Sequence, residues 1–449
     1  MRSNEIKILW GLLLVMLSST VQAGQSDKLK GKPNIVLIVS DDQGYADATF
    51  QKRHTDQITT PAIDNLASEG IVFTQGYASG YVCSPTRAGL LTGRYQQRFG
   101  FFRARDSRDG MSKEEITLAD YLKQDGYSTG IFGKWHLGLE YDYRPLQRGF
   151  DEFYGFLGHG GHSYFDLSHN EKTAHNSMYR GNEIIEDEGY LTDILADESI
   201  DFIDRHAQDK NPFFLYLPFN AVHAPLEAPE KDVARFNTGD PKRDTMLGML
   251  YRMDLAIGKV IQKLKDEGIY DNTLIIYFSD NGGSKAIMAD NSPLRDYKAS
   301  TYEGGIRVPF VMSWAGKISS GTNDEPVISL DILPTILDVT GQKLPKDRAF
   351  DGKSLIPVMT GNQKAPLHEQ LVWDGNEGKW AIRQGAYKLV RNKQGIIELY
   401  NIAEDIGESK NIIEEYPEIA KRLQEDYDKW RSEMGEPMSH KDKTKAKSK

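Results

Sequence analysis

Hydrophobic positions fall along this chain in two alternating textures. Short, mostly apolar runs have the length and the β-branched or aromatic content of buried strands: IVLIV at 35–39, STGIF at 128–132, FFLYL at 213–217 and LIIYF at 274–278. Between them, LADYLKQDGY at 118–127 and MLYRMDLAIGKVIQKLKDEG at 249–268 space their apolar residues at helical intervals, and the second ends at Gly268 as a C-cap. Strand and helix in alternation predict an α/β fold, a large and mostly parallel sheet sandwiched by helices. Ligands in such sheets bind beyond the carboxyl ends of the strands, so chemistry is sought in the loops that follow the runs.

After about residue 365 the texture changes. QLVWDG, KWAIRQGAYKLVRN and GIIELYNI read as short strands between turns, followed by a charged helix near 415–433. The expected organisation is therefore a large domain over 24–364 and a small C-terminal α+β subdomain with an antiparallel sheet over 365–437. The basic tail at 438–449, with five lysines, is expected to be disordered. At the other end, Arg2 and Lys7 precede the apolar stretch 8–17, and Val21, Gln22 and Ala23 offer a small-residue cleavage site. Residues 1–23 read as a signal peptide cleaved after Ala23, because the apolar run is shorter than the roughly 20 residues a span needs. The expectation is a periplasmic or secreted bacterial protein with no membrane span after cleavage. A net charge of −10, spread along the chain, argues against a nucleic-acid binder, and a single cysteine excludes an internal disulfide framework.

Candidate chemistry enters with an internal likeness. VLIVSDDQG at 36–44 and IIYFSDNGG at 275–283 are both an apolar strand, then Ser-Asp-Asp/Asn, then Gly. Asp, Asn and Gly are ordinary turn residues after strands. The matched pair, however, offers Asp41, Asp42, Asp280 and Asn281 as hard oxygen donors suited to Ca²⁺ or Mg²⁺ rather than Zn²⁺. The lone cysteine, Cys83, lies in YVCSPTRAGLLTGRY outside any apolar run. Pro85 suits the first turn of a helix, which puts Cys83 at a helix start, where negative charge is favoured, and Arg87 one turn on along the same face.

The pattern Cys83, Pro85, Arg87, Thr92 and Gly93 resembles the signature of the type I sulfatases, in the alkaline-phosphatase-like superfamily. Thr86 stands where the commoner form has Ser. Further segments are similar in order: PNIVLIVSDDQGY, TGIFGKWHLG with Lys134 and His136, NAVHAP with His223, FSDNGG, and YKASTYEGGIRVP with Lys298. If the strand continued through its segment, Lys134 and His136 would share one face. The resemblance implies that a formylglycine-generating (sulfatase-maturating) enzyme, acting on the unfolded chain, oxidises Cys83 to Cα-formylglycine (3-oxoalanine). It implies one Ca²⁺ per chain, in preference to Mg²⁺, held by Asp41, Asp42, Asp280, Asn281 and the modified Cys83. One hydroxyl of the hydrated aldehyde would attack sulfur, with the metal and Arg87 stabilising the oxyanion and Lys134 and Lys298 offsetting charge on the sulfate oxygens. His223, with Lys298, would protonate the leaving alcohol, and His136 would deprotonate the second hydroxyl to expel sulfate. Lys285 and His206 sit in none of these segments and read as a solvated surface charge and a structural histidine.

GFLGHGGHSYFDLSHN at 155–170 reads as a loop, and the resemblance makes it a candidate sugar site, with His162 first and Arg295 of PLRDYK second. The expected function is an exported carbohydrate sulfatase acting on ulvan, carrageenan or glycosaminoglycan, as polymer or oligosaccharide. Alternatives are a broad arylsulfatase, a phosphonate monoester hydrolase or phosphodiesterase on the same fold, and a glycan-binding protein that has lost the chemistry.

Overall fold

The apolar runs become the centre of one sheet. The computed structural model describes residues 29–53, 57–158, 162–169 and 177–438. The signal-peptide reading and the lysine-rich segment from 439 onward lie outside the described residues. Five strands run parallel: Asn34–Ser40 (β1), Ser128–Lys134 (β2), Glu152–Phe156 (β3), Phe213–Pro218 (β4) and Thr273–Ser279 (β5). Phe310–Ser313 (β6) joins β5 antiparallel, and shorter strands extend both edges to a ten-stranded sheet. The central order is β6-β5-β1-β4-β2-β3. The sheet is thus mixed and mostly parallel, as the strand–helix alternation predicts.

Alternation along β1 feeds two cores. Ile35, Leu37 and Val39 face one side with Leu90 and Leu91 of helix Cys83–Thr92 (α1) and with Ile332 and Ile336. Val36 and Ile38 face the other, with helices Leu191–His206 (α2) and Pro241–Asp266 (α3). Burial on both faces is why the middle of β1, Ile35 to Val39, is wholly apolar. The helix α3 starts at Pro241 rather than at 249, because Asp240 caps it by accepting from the backbone N–H groups of Lys242 and Arg243. It ends where Gly268, at φ 69°, takes the left-handed turn.

Four antiparallel strands, Leu371–Asp374 (β7), Trp380–Gln384 (β8), Tyr387–Arg391 (β9) and Ile397–Asn401 (β10), form the separate C-terminal sheet in sequential order. Helix Pro417–Ser432 (α4) covers it, with Tyr427 stacked on Trp380 at 3.9 Å between ring centroids. Its core continues into Tyr77, Tyr81, Tyr95 and Tyr302 of the larger part, so the two parts share apolar contacts. Met438 is held by its N–H to the Gly100 carbonyl at 3.0 Å. Among the described residues no helix is long and apolar enough to cross a membrane.

Candidate functional site

The carboxyl ends of β1, β2, β4 and β5 converge, and each delivers candidate residues in the first few positions after its last apolar pair. Ser40 and Ser279 are register partners, so Asp41–Asp42 and Asp280–Asn281 leave the sheet side by side. The Asp280 N–H donates to the Ser40 carbonyl, and Asp41 exchanges backbone hydrogen bonds with Ala221 and Val222 of the loop after β4. Asp42 sits at φ 64°, a left-handed conformation that Asp tolerates better than most residues. The tight packing of these loops needs glycine: a Cβ on Gly282 would lie 1.9 Å from the Gly304 carbonyl oxygen.

Cys83 is the first residue of α1 and is buried, with Val82 extended before it. Arg87, fully buried, donates through Nε and Nη2 to Asp280 Oδ2 at 2.9 and 2.7 Å and through Nη1 to the Lys134 carbonyl at 3.0 Å. One guanidinium therefore joins α1, β2 and the loop after β5. Lys134, the last residue of β2, places Nζ 2.5 Å from Asp41 Oδ2. Lys298 places Nζ 2.5 Å from Asp42 Oδ1, which also accepts from Asn281 Nδ2 at 2.8 Å. His223 Nε2 lies 3.7 Å from Asp42 Oδ2, and its Nδ1 is 2.8 Å from the Ala224 carbonyl.

His136 corrects one expectation. Strand geometry ends at Lys134, and His136 has φ 60°, so simple alternation does not orient it. It still reaches the site, because its carbonyl accepts from the Ser84 hydroxyl, next to Cys83, at 2.7 Å. Ser84 and the buried Asn220 are residues that sequence reasoning missed. Asn220 carries the same signal as Asn281, an Asn close after a buried strand, and neither polar atom of its side chain has a partner among the described residues.

Burial penalises every charge here, and neighbouring charges decide the outcome. Burial pushes the Asp41 carboxyl up, but Lys134, His223, Arg87 and Lys298 together hold it well below the usual carboxylate range. Asp280 goes the other way, pushed up to about 6 by burial and by Asp41 against the pull of Arg87. Two buried carboxylates this close favour shared positive charge. Burial also pushes the Cys83 thiol up, against the pull of Lys134 and Lys298.

Asp41 Oδ1, Asp280 Oδ1 and Asn281 Oδ1 are buried and have no hydrogen-bond partner among the described residues. Ligand atoms of Asp41, Cys83 and Asp280 lie within 4.8 Å of one another, as do those of Asp41, Asp42 and His223. Buried acceptors without donors are costly unless a cation takes them, so this oxygen-rich set fits a hard divalent ion. It would serve at once as an anion-lined metal cradle and, through Lys134, Lys298 and Arg87, as a cationic seat for an anionic group.

The two weaker candidates separate. His162 is buried, its ring 5.3 Å from that of Phe156, the register partner of Lys134, and its Nδ1 is 2.7 Å from the Ser163 carbonyl. Tyr164 in the same loop donates to the His223 carbonyl at 2.9 Å, so this loop packs on the site. Arg295 turns instead to the C-terminal part: it donates to the Tyr400 hydroxyl and the Glu408 carbonyl and lies over the Tyr302 ring. His206 pairs with Asp209 and Glu152, and Lys285 lies 6.0 Å from the centroid of the Tyr297 ring; neither is among the residues gathered here.

The family model described as Sulfatase matches residues 33–342, and that described as N-sulphoglucosamine sulphohydrolase, C-terminal, matches 296–433. The chain is 32% identical over 404 residues to the Escherichia coli (strain K12) protein described as uncharacterized sulfatase YdeN, covering 78% of this chain and 70% of that one. It is also 32% identical over 381 residues to N-acetylgalactosamine-6-sulfatase of Canis lupus familiaris, covering 79% and 70%. Among solved structures, that of Ps i-CgsB in complex with k-i-k-neocarrahexaose is similar, with TM-score 0.86 and 34% identity over 93% of this chain and 96% of the other. A phosphonate monoester hydrolase of Agrobacterium radiobacter shares the fold at TM-score 0.69 and 20% identity, over 89% of this chain and 96% of the other.

Proposed function

Since the chain belongs to the sulfatase family and is a sulfuric ester hydrolase, we propose that it is an exported carbohydrate sulfatase whose nucleophile is made from Cys83. Its substrate class is a sulfated polysaccharide or its oligosaccharides, of carrageenan, ulvan or glycosaminoglycan type. Likeness to a protein crystallised with a carrageenan oligosaccharide puts carrageenan first.

The observation that carries the mechanism is the position of Cys83 among interleaved charges of both signs. Its sulfur lies within 4.8 Å of carboxylate oxygens of Asp41 and Asp280, and Lys134 and Arg87 pair with those same two acids. As a plain thiol the residue is badly served there, because burial holds it protonated. Converted to formylglycine by a maturating enzyme and hydrated, the residue would supply one hydroxyl as nucleophile and a second through which the aldehyde could be regenerated. Asp41, Asp42, Asp280 and Asn281 would hold a divalent cation, with Ca²⁺ preferred, which would supply positive charge beside the nucleophile and the sulfate oxygens. Lys134 and Lys298 bind the sulfate oxygens, and Arg87 fixes Asp280 and the start of α1. His223, oriented by its Nδ1 contact to Ala224, delivers a proton to the leaving alcohol. His136 takes the proton from the second hydroxyl. His162 belongs to the wall that receives the sugar.

Mass spectrometry of the peptide containing Cys83, from active protein made in its native host, tests the nucleophile: only unmodified thiol would refute it. Release of sulfate from defined carrageenan, ulvan and glycosaminoglycan oligosaccharides, beside p-nitrophenyl sulfate and phosphate esters, tests the substrate class. Turnover of none of the sugars, with turnover of the aryl or phosphate ester, would sink the carbohydrate reading.

A further inference from the structure

Ala299, the residue after Lys298, is shared by two cavities. One, of about 290 Å³, is lined by Ala299, Tyr81, Val82, Arg105, Glu377 and Arg103 among others, the last paired with Asp106. The other, of about 230 Å³, is lined by Ala299, Asp296, Lys379, Asn392 and Lys393 among others. The Ala299 N–H donates to the Tyr81 carbonyl at 2.8 Å, and Tyr81 and Val82 immediately precede Cys83. Both cavities therefore border Ala299, next in the chain to a sulfate-binding lysine, and the first also borders Tyr81 and Val82, next to the nucleophile position. Each is below the roughly 300–1,000 Å³ of a site for a drug-sized ligand, which suits a single sugar ring.

Their charges point to anions. Arg105 and Lys393 are exposed and make no hydrogen bond or ion pair among the described residues. A solitary exposed cation is usually just solvated. These two instead stand one on each of the cavities that Ala299 lines. Of the acids, Glu377 lies 3.4 Å from Lys379, which leaves Asp296 as the one negative wall group set against Lys393. The cavity with Arg105 is thus the more cationic arm.

We infer that these two cavities are subsites for the sugars that flank the one bearing the scissile sulfate, and that Arg105 and Lys393 each bind an anionic substituent, sulfate or carboxylate, on those flanking sugars. The enzyme would then engage an internal residue of a polyanionic glycan rather than only a chain end. This rests on the carbohydrate reading above.

The test is isothermal titration of the full-length protein carrying Cys83→Ala, which holds substrate without turnover. The probes are carrageenan, ulvan and chondroitin sulfate hexasaccharides, with a monosulfated monosaccharide of each type. At least one hexasaccharide is expected to bind more than about tenfold tighter than its monosaccharide. Arg105→Ala and Lys393→Ala should each weaken that hexasaccharide about three- to tenfold and leave the monosaccharide unchanged. Hexasaccharide affinity unchanged in both variants, or lost equally for monosaccharide and hexasaccharide, would overturn the subsites while leaving the carbohydrate reading intact. A hexasaccharide no tighter than its monosaccharide would also overturn them. Binding of no sugar at all would overturn the carbohydrate reading itself.

Discussion

Lys379, immediately before β8 of the C-terminal sheet, donates from Nζ to the carbonyl of Ala299 at 2.6 Å. Ala299 has φ 70°, a left-handed conformation that a residue with a Cβ adopts only when held. Both of its backbone groups are held, the carbonyl by Lys379 and the N–H by Tyr81. That conformation aims Lys298 at Asp42. The C-terminal part is therefore a brace for the catalytic part as well as an appendage. Lys379→Met removes a charge-assisted hydrogen bond worth about 1.5–3 kcal/mol. Turnover should fall by at least about tenfold, measured as sulfate release, and Lys379→Arg should restore part of it. Equal kcat in wild type and Lys379→Met would contradict the brace.

Arg87 ties three segments together from a fully buried position. Lysine cannot reproduce its fork of donors to Asp280 and to the Lys134 carbonyl. Arg87→Lys is expected to cut activity by at least about a hundredfold, and Arg87→Ala to cost about 3–5 kcal/mol of stability by leaving Asp280 buried without its partner. Urea unfolding followed by fluorescence checks the second figure; a loss below about 1 kcal/mol would mean that Asp280 finds compensation elsewhere.

Legibility followed the range of the interactions. The strands β1, β4 and β5 were readable because both their faces are buried, and Asp41, Asp42, Asp280 and Asn281 because they follow those strands directly. The start of α3 was harder: its first turn, Pro-Lys-Arg-Asp, is polar, and only the Asp240–Pro241 cap marks it. The helix α2 buries Leu191, Leu195, Ala196, Phe202 and Ile203 among many acidic residues, which dilutes its periodicity. His136 defeats a period-two argument because one left-handed residue resets the direction of the side chain. Nothing local could link Lys379 to Ala299, or turn Arg295 towards Tyr400, since both contacts close only when the two parts dock.

Glu408 sits in that joint, buried, with one carboxylate oxygen accepting from Lys388 at 2.9 Å and the other from the Glu303 N–H at 2.7 Å. Burial pushes it up to about 7, against the pull of Lys388. An acid whose folded value is raised binds its proton more tightly than it does in the unfolded chain. Stability from this group is therefore fully present below the usual glutamate range and falls as the pH climbs from about 4 to about 7. Glu408→Gln keeps an acceptor for Lys388 and removes the titration. The variant should show a flatter dependence of Tm on pH across that window than the wild type. Parallel curves for the two proteins would rule out Glu408 as the titrating group.

The unpartnered oxygens of Asp41, Asp280 and Asn281 would make a bound cation a contributor to stability. A cation that binds only the folded state stabilises it by about 2.7 kcal/mol when present at a hundred times its Kd. Protein stripped with EDTA should therefore melt several degrees lower, and Ca²⁺ should restore the Tm more completely than Mg²⁺, whose tighter octahedral demand this set of carboxylates and an amide meets less well. Asp41→Asn weakens the cradle and also frees Lys134 from its 2.5 Å partner. Its Tm should respond to Ca²⁺ by less than half the wild-type shift, read by differential scanning fluorimetry at fixed protein concentration. The same Tm for stripped and Ca²⁺-loaded wild type would mean that the cradle is satisfied by Lys134 and Arg87 alone.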